Sequence, residues 1–184
     1  MQKLNKFTLP KNFRGRSSLV VQLWWMTDFL FFKLSPQIMY GWRRFLLRLF
    51  GAKIGKDVII RPNVTITYPW KVSIGDYSWI GDNVELYSLG EIEIGSNVVI
   101  SQKSYLCGAS HDYDKEDFPI WSGKIVIEDE CWLATDVYVA PNVTIGRGTV
   151  VGARSSVFKS LPSGKVCIGS PAKPIRDRVY NVEC

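Results

Sequence analysis

Residues that carry chemistry are scarce in this sequence. It has one histidine, His111, among 184 residues, which excludes a catalytic zinc held by three imidazoles. Its four cysteines, Cys107, Cys131, Cys167 and Cys184, stand far apart. None forms the close pair of a zinc or redox centre, so no metal is expected, and buried thiols in a reducing compartment are the expected state. No apolar run reaches the ~20 residues of a membrane span; Leu19 to Leu34 is interrupted by Gln22, Asp28 and Lys33. A cleavable signal sequence is also missing, and both absences point to the cytoplasm. There is no glycine-rich phosphate loop. Nor is there an aromatic-basic strip, so nucleic acid is not an expected partner. Acids are nearly absent from the first third: residues 1–56 carry eleven Lys or Arg against Asp28 alone, and the rest carries twelve against sixteen.

What the sequence has in abundance is a short period. An aliphatic residue recurs every sixth position at Ile54, Ile60, Ile66, then Ile74, Ile80, Leu86, then Ile94, Ile100, Leu106, and again at Ile127, Leu133, Val139, Ile145, Val151, Val157. A second apolar set lies two residues earlier, as in Val58, Val64, Val72, Val84, Ile92, Val98, Val137 and Val143. The residue after each rung is usually small, as at Gly55, Gly75, Gly81, Gly95, Ala134 and Gly152. An α-helix has an apolar period of 3.6 and cannot produce this pattern. A hexapeptide repeat builds a parallel β-helix: six residues make one strand and one corner, and three such units close a triangular coil. The small residue is expected to ease the turn, where glycine is least restricted.

Breaks in the period locate the appendages. Ile54, Ile74 and Ile94 start three coils, and the next start is delayed to Ile127. The extra residues fit Asp112 to Lys124, an extruded loop on a rigid scaffold, where function concentrates. The organisation is then an N-terminal helical segment (1–53), the β-helix (54–162) and a C-terminal tail (163–184). In the first segment two aromatic-rich helices are predicted, broken at Ser35-Pro36. They have two readings. They cap the open end of the β-helix, whose strand edges would otherwise stay unpaired. Alternatively they lie on an anionic membrane, with Trp24, Trp25, Phe31 and Phe32 inserted and Arg43, Arg44 and Arg48 near lipid.

His111 is the candidate base, since a neutral imidazole can take a proton from a hydroxyl near pH 7. It stands where the repeat gives way to the loop. Trp132 precedes an inward rung and must point outward, either into a subunit interface or as a wall for a flat ligand. Lys159, Lys173 and Arg176 are either phosphate ligands or a solvated tail. An uncovered apolar strip at Trp132 and the loop would be unusual for a monomer.

The repeat, the His-bearing loop, ECWLAT, VGARSSVFKSLP and the closing GSPAKPIR resemble the hexapeptide-repeat O-acetyltransferases, among them the galactoside, maltose and nodulation-factor acetyltransferases. Segments such as VQLWW, RFLLRLFGAKIG and ITYPW extend the likeness over the whole chain, toward exopolysaccharide biosynthesis of the colanic acid type. The resemblance implies an all-β, left-handed parallel β-helix, although parallel crossovers are ordinarily right-handed. It also implies a homotrimer with sites between prisms, acetyl-CoA as donor and a sugar or oligosaccharide hydroxyl as acceptor. His111 matches the general base, Trp132 the pantetheine wall, Thr135 a residue near the thioester oxygen, and Gly152 and Ala153 the small residues along the pantetheine. Lys159, Lys173 and Arg176 match the phosphate ligands. The family's acceptor-binding acid aligns with Leu89 here, leaving Asp82 and Glu85 as substitutes. Two other activities stay open: N-acetylation of an amino sugar, and a catalytically inactive scaffold. An acceptor-driven release of thiol from acetyl-CoA separates enzyme from scaffold.

Overall fold

The computed structural model describes residues 2–180, so Cys184 lies outside the described residues. From Lys53 to Val157 the chain winds as a parallel β-helix, each coil placing one short strand on each of three sheets. On the first sheet Ile54, Ile74, Ile94, Ile127 and Ile145 are register partners in turn. On the second, the column is Ile60, Ile80, Ile100, Leu133, Val151 and Cys167. On the third it is Ile66, Leu86, Leu106, Val139 and Val157. Every rung of the predicted series is buried, as is the set two residues earlier. Each fully buried aliphatic side chain contributes about 1.5–3 kcal/mol, so this stacked ladder is the core.

The small residue after a rung has a different task from the expected one. The left-handed corner lies two residues further on, at Asp57 (φ 50°), Tyr77 (φ 59°) and Asn97 (φ 57°). Gly75 must be small because coils stack closely there: a Cβ would lie 2.6 Å from the Gly95 carbonyl carbon. Close approach, not backbone freedom, selects glycine at that position.

Successive coils are joined by N–H groups that donate to the next coil, as Gly55 to Ile74 at 2.8 Å, Arg61 to Ile80 at 3.1 Å and Thr67 to Leu86 at 3.2 Å. The equivalent carbonyls of the first coil have no coil before them. The N-terminal helices supply the missing donors. Ser17 caps helix α1 (Ser18–Thr27), its hydroxyl accepting from the Val20 N–H at 3.4 Å. The chain runs on through a wider turn at Asp28–Phe32, breaks near Ser35-Pro36 as expected, and forms α2 (Tyr40–Leu49). Arg48 donates to the Ile54 carbonyl at 2.7 Å, Arg43 to Ile60 at 2.7 Å, and the Trp24 indole to Ile66 at 2.8 Å. One donor thus closes each of the three sheets. Arg44 adds a bond to the Val58 carbonyl at 2.9 Å.

This corrects the membrane assignment of Trp24, Phe32 and Arg43, while Trp25, Phe31 and Arg48 stay exposed. Trp24, Phe32 and Arg43 are fully buried, and the three arginines answer main-chain carbonyls. Charge in the sequence signals that a partner exists, and here it is the open end of the prism itself. No helix among the described residues is long and apolar enough to cross a membrane.

The extruded segment is an antiparallel hairpin. Ala109–His111 pairs with Ile120–Ser122, and residues 112–119 form the tip. The Gly123 N–H donates to the Gly108 carbonyl at 3.0 Å at its base. At the other end of the molecule, Lys165–Gly169 joins the second sheet beside Val150–Val151 and reverses into Ala172–Asp177.

Candidate active site

His111 ends the first strand of the hairpin and is half-buried. Its Nδ1 lies 2.9 Å from the Phe118 carbonyl oxygen. A carbonyl only accepts, so Nδ1 carries the proton, and in the neutral ring Nε2 keeps its lone pair. The Phe118 ring stacks on the imidazole with centroids 4.2 Å apart and planes at 10°, and the Phe7 ring stands 6.0 Å away on another side. The ring is thereby held in one tautomer and one plane.

Trp132 stands on the second sheet between Val99 and Val150. It is 46% exposed, as its position before a rung requires, and its indole N–H donates to Ser101 Oγ at 3.0 Å. The hydroxyl of Thr135 donates to the Gln102 carbonyl at 3.0 Å, so as it stands it offers only lone pairs. A Cβ on Gly152 would lie 2.5 Å from Ile168 Cγ2, and its N–H is taken by the Cys167 carbonyl at 2.8 Å. Its smallness therefore already serves the C-terminal hairpin. Ala153 and Lys159 are exposed, and Lys173 and Arg176 lie exposed on Ala172–Asp177.

Asp82 is ion-paired with Arg61 at 2.8 Å. Both line an open groove of about 530 Å³ on the second sheet with Tyr40, Trp79, Ser101 and Gln102. Glu85 is elsewhere, on the third sheet, between Thr65 and Tyr105. There Tyr87, Tyr105 and Tyr138 form a column of rings 6.0 and 5.9 Å apart. Burial raises the phenol of Tyr105 and pushes that of Tyr138 up to about 12. Leu89 is buried, so no acid of that alignment position faces solvent. The structure therefore separates the two substitute acids onto different faces.

The thiols do not compete as nucleophiles. Cys107, Cys131 and Cys167 are buried and free. Burial pushes Cys131 up to about 11 and raises Cys167 as well, which keeps both as unreactive thiols. No cluster of three metal-ligating side chains occurs among the described residues.

His111 and Trp132 are not brought together within one chain. The hairpin leaves the prism after the third-sheet strand Tyr105–Cys107 and before the first-sheet strand Ile125–Ile127. It therefore stands at the edge between those two sheets. In a triangular prism that edge is opposite the second sheet, which carries Trp132.

Sequence reasoning missed Phe118, Ser101 and Gln102, and also the N-terminal residues that reach the hairpin. Phe118 acts through its main-chain carbonyl, for which residue type gives no signal.

A β-helix of hexapeptide coils with a lone histidine on an extruded hairpin defines a hexapeptide-repeat scaffold. The bacterial transferase hexapeptide family (six repeats) matches residues 124–159. Escherichia coli (strain K12) has a relative named for colanic acid biosynthesis, acetyltransferase WcaF. It is 64% identical over 179 residues, covering 97% of this chain and 98% of that protein. The galactoside O-acetyltransferase of the same organism is 29% identical, over 73% of this chain and 68% of its own. Among solved structures, a hexapeptide-repeat acetyltransferase of Vibrio cholerae O1 biovar eltor, VCA0836, complexed with acetyl-CoA, superposes with a TM-score of 0.80 at 25% identity. The match covers 90% of this chain and 92% of that one. The chain belongs to the hexapeptide-repeat acetyltransferases.

Proposed function

We propose that this protein transfers the acetyl group of acetyl-CoA to a sugar hydroxyl in polysaccharide biosynthesis of the colanic acid type, with His111 as general base. The observation that carries this reading is the bond from Nδ1–H to the Phe118 carbonyl, which leaves Nε2 free to accept a proton. The acceptor hydroxyl gives its proton to Nε2 as its oxygen attacks the thioester carbonyl. The tetrahedral intermediate collapses with cleavage of the C–S bond, and the imidazolium returns the proton to the CoA thiolate. Transfer is direct, since the described cysteines are buried thiols and cannot form an acyl-enzyme. Trp132 provides the wall for the pantetheine arm, and Lys159, Lys173 and Arg176 are the exposed cations available to the nucleotide phosphates.

The protein acts as a homotrimer. The hairpin edge of one prism and the Trp132 face lie on opposite sides of a single chain, so a complete site needs the edge of one copy against the face of the next. Edge-to-face contact repeated three times closes a ring.

The outer side of the N-terminal helices supports a peripheral contact with anionic membrane. Trp25, Phe29, Leu30, Phe31 and Leu34 are each more than two-fifths exposed, in a segment rich in Lys and Arg. The cations available to lipid are those not already engaged by the first coil.

Thiol release from acetyl-CoA tests the function. It should rise on adding neutral sugars or oligosaccharides, and mass spectrometry should find an ester-linked acetyl group. An amide product from an amino sugar would replace O-acetylation with N-acetylation, and no acceptor-dependent thiol release would leave a binding scaffold.

A further inference from the structure

We propose that the N-terminal arm, residues 2–7, and the hairpin tip it grips form a positioning device for His111, with Phe118 as the residue that sets the imidazole. This rests on His111 being the base and goes beyond it, since it assigns a role to groups outside the prism.

Phe118 holds φ at 47°, a left-handed conformation that a bulky L-residue rarely adopts. A strained residue persists only when its surroundings over-determine it. Within the tip, the Phe118 N–H donates to Lys115 at 3.1 Å, the Asp112 N–H donates to Pro119 at 2.9 Å, and the Asp114 N–H donates to the Asp112 carboxylate at 3.2 Å. These bonds close the loop from within, while residues 113–117 stay exposed. The arm supplies the outside hold. The Lys3 N–H donates to the Glu116 carbonyl at 2.7 Å. The ammonium groups of Lys3 and Lys6 each lie 2.5 Å from one oxygen of the Glu116 carboxylate. A single exposed pair is weak, but here two cations and a main-chain bond converge on one residue. Phe7, next along the arm, approaches the imidazole itself.

The strained residue is also the one that fixes the base. The carbonyl of Phe118 selects the Nδ1–H tautomer and its ring sets the plane. If the tip loosens, the proton can sit on Nε2 instead, and the base is lost in that fraction of molecules. Phe118, Glu116, Lys3 and Lys6 are positioning residues, acting through His111.

The experiment compares Phe118→Gly, Phe118→Tyr, Glu116→Gln and the double substitution Lys3→Ala/Lys6→Ala with the full-length wild type, and with His111→Ala alongside. Glycine suits a positive φ, so Phe118→Gly should keep or raise Tm. Its kcat should fall by on the order of tenfold, less than the ~10²–10⁴-fold loss of a missing base, with KM for acetyl-CoA little changed. Glycine keeps the carbonyl but removes the stacked ring and loosens the turn, so the imidazole is no longer held in one plane. Phe118→Tyr, which keeps a stacking ring, should restore wild-type kcat. Glu116→Gln and the double lysine variant should lower kcat in the same way, and added salt should weaken the wild type but not them. Wild-type kcat in both Phe118→Gly and Glu116→Gln would overturn the proposal. Should Phe118→Gly fail to fold, Glu116→Gln and the lysine variant decide alone. An active His111→Ala would instead overturn the assignment of the base, whereas an inactive one beside unaltered Phe118 and Glu116 variants sinks only the positioning device.

Discussion

The indole of Trp132 is tethered to the hydroxyl of Ser101, one coil below it on the same face, at 3.0 Å. The ring's only donor is satisfied by the prism's own surface, so what it offers outward is an apolar surface of fixed orientation. A wall for a flexible acyl arm needs this, since a ring that need not be ordered on binding costs less entropy.

Mixing two crippled chains tests whether that wall serves the neighbour's histidine. His111→Ala and Trp132→Ala should each be poorly active alone. If sites form between copies, refolding them together at equal amounts should rebuild about a quarter of the sites with both native groups, as random assortment in a cyclic trimer requires. Activity no greater than the sum of the separate variants, or an active monomer by light scattering, would rule out shared sites.

The base can be removed without touching the donor site. His111→Ala is expected to lose on the order of 10²–10⁴-fold in kcat while keeping its circular dichroism spectrum and its affinity for CoA by calorimetry. More than about a tenth of wild-type turnover would mean that another group accepts the proton.

The rungs of the prism are legible in the sequence because one-sided burial demands a residue type, and residue type is what a sequence displays. The hairpin is legible as a delay in the period between Leu106 and Ile127. His111 stands out because it is alone. Phe118 is illegible because it acts through a carbonyl that any residue supplies and through a ring stacked on His111 that no spacing in the sequence announces. Arg43 and Arg48 look like lipid contacts because their cationic nature shows that an acceptor is needed, but not that the acceptor is a strand carbonyl. The acceptor pocket is poorly legible for a related reason: Asp82 and Glu85 are near in sequence, yet a corner of the coil sends them to different sheets.

Asp28 gives a pH-dependent test of the cap. Its carboxyl is raised above the ordinary value of 3.8, chiefly by burial and in part offset by Lys33 at 3.1 Å, and its Oδ1 has no hydrogen-bond partner. A raised carboxyl binds its proton more tightly in the folded state. The ionised form therefore penalises folding at neutral pH, and the penalty is relieved as pH falls through the folded value toward 3.8. Asp28→Asn should raise Tm at pH 7 by about 2–4 °C per kcal/mol gained, with the advantage vanishing near pH 4. An equal gain at both values would show that ionisation is not the cause.

Liposome flotation addresses the outer face of the helices. The protein should float with anionic vesicles at low salt and release at high salt, since attraction to lipid decays over a Debye length of ~10 Å at 0.1 M. Replacing Phe29 and Phe31 by serine should abolish flotation and leave acetyl transfer to a soluble sugar intact. Indifference to anionic vesicles at low salt would leave these helices as a cap alone.

The bonds from Arg48, Arg43 and Trp24 to the three sheets have a consequence for assembly during synthesis. A repeating coil has no intrinsic length, because each turn templates the next and any bare turn can accept a foreign one. By occupying the acceptors of the first turn, the helices act as a terminator. They emerge from the ribosome before the turn they seal, so the blunt end is blocked from the moment it forms. A chain lacking them would present a sticky end to every other nascent prism, and end-to-end stacking into filaments is the fate that the N-terminal segment forestalls.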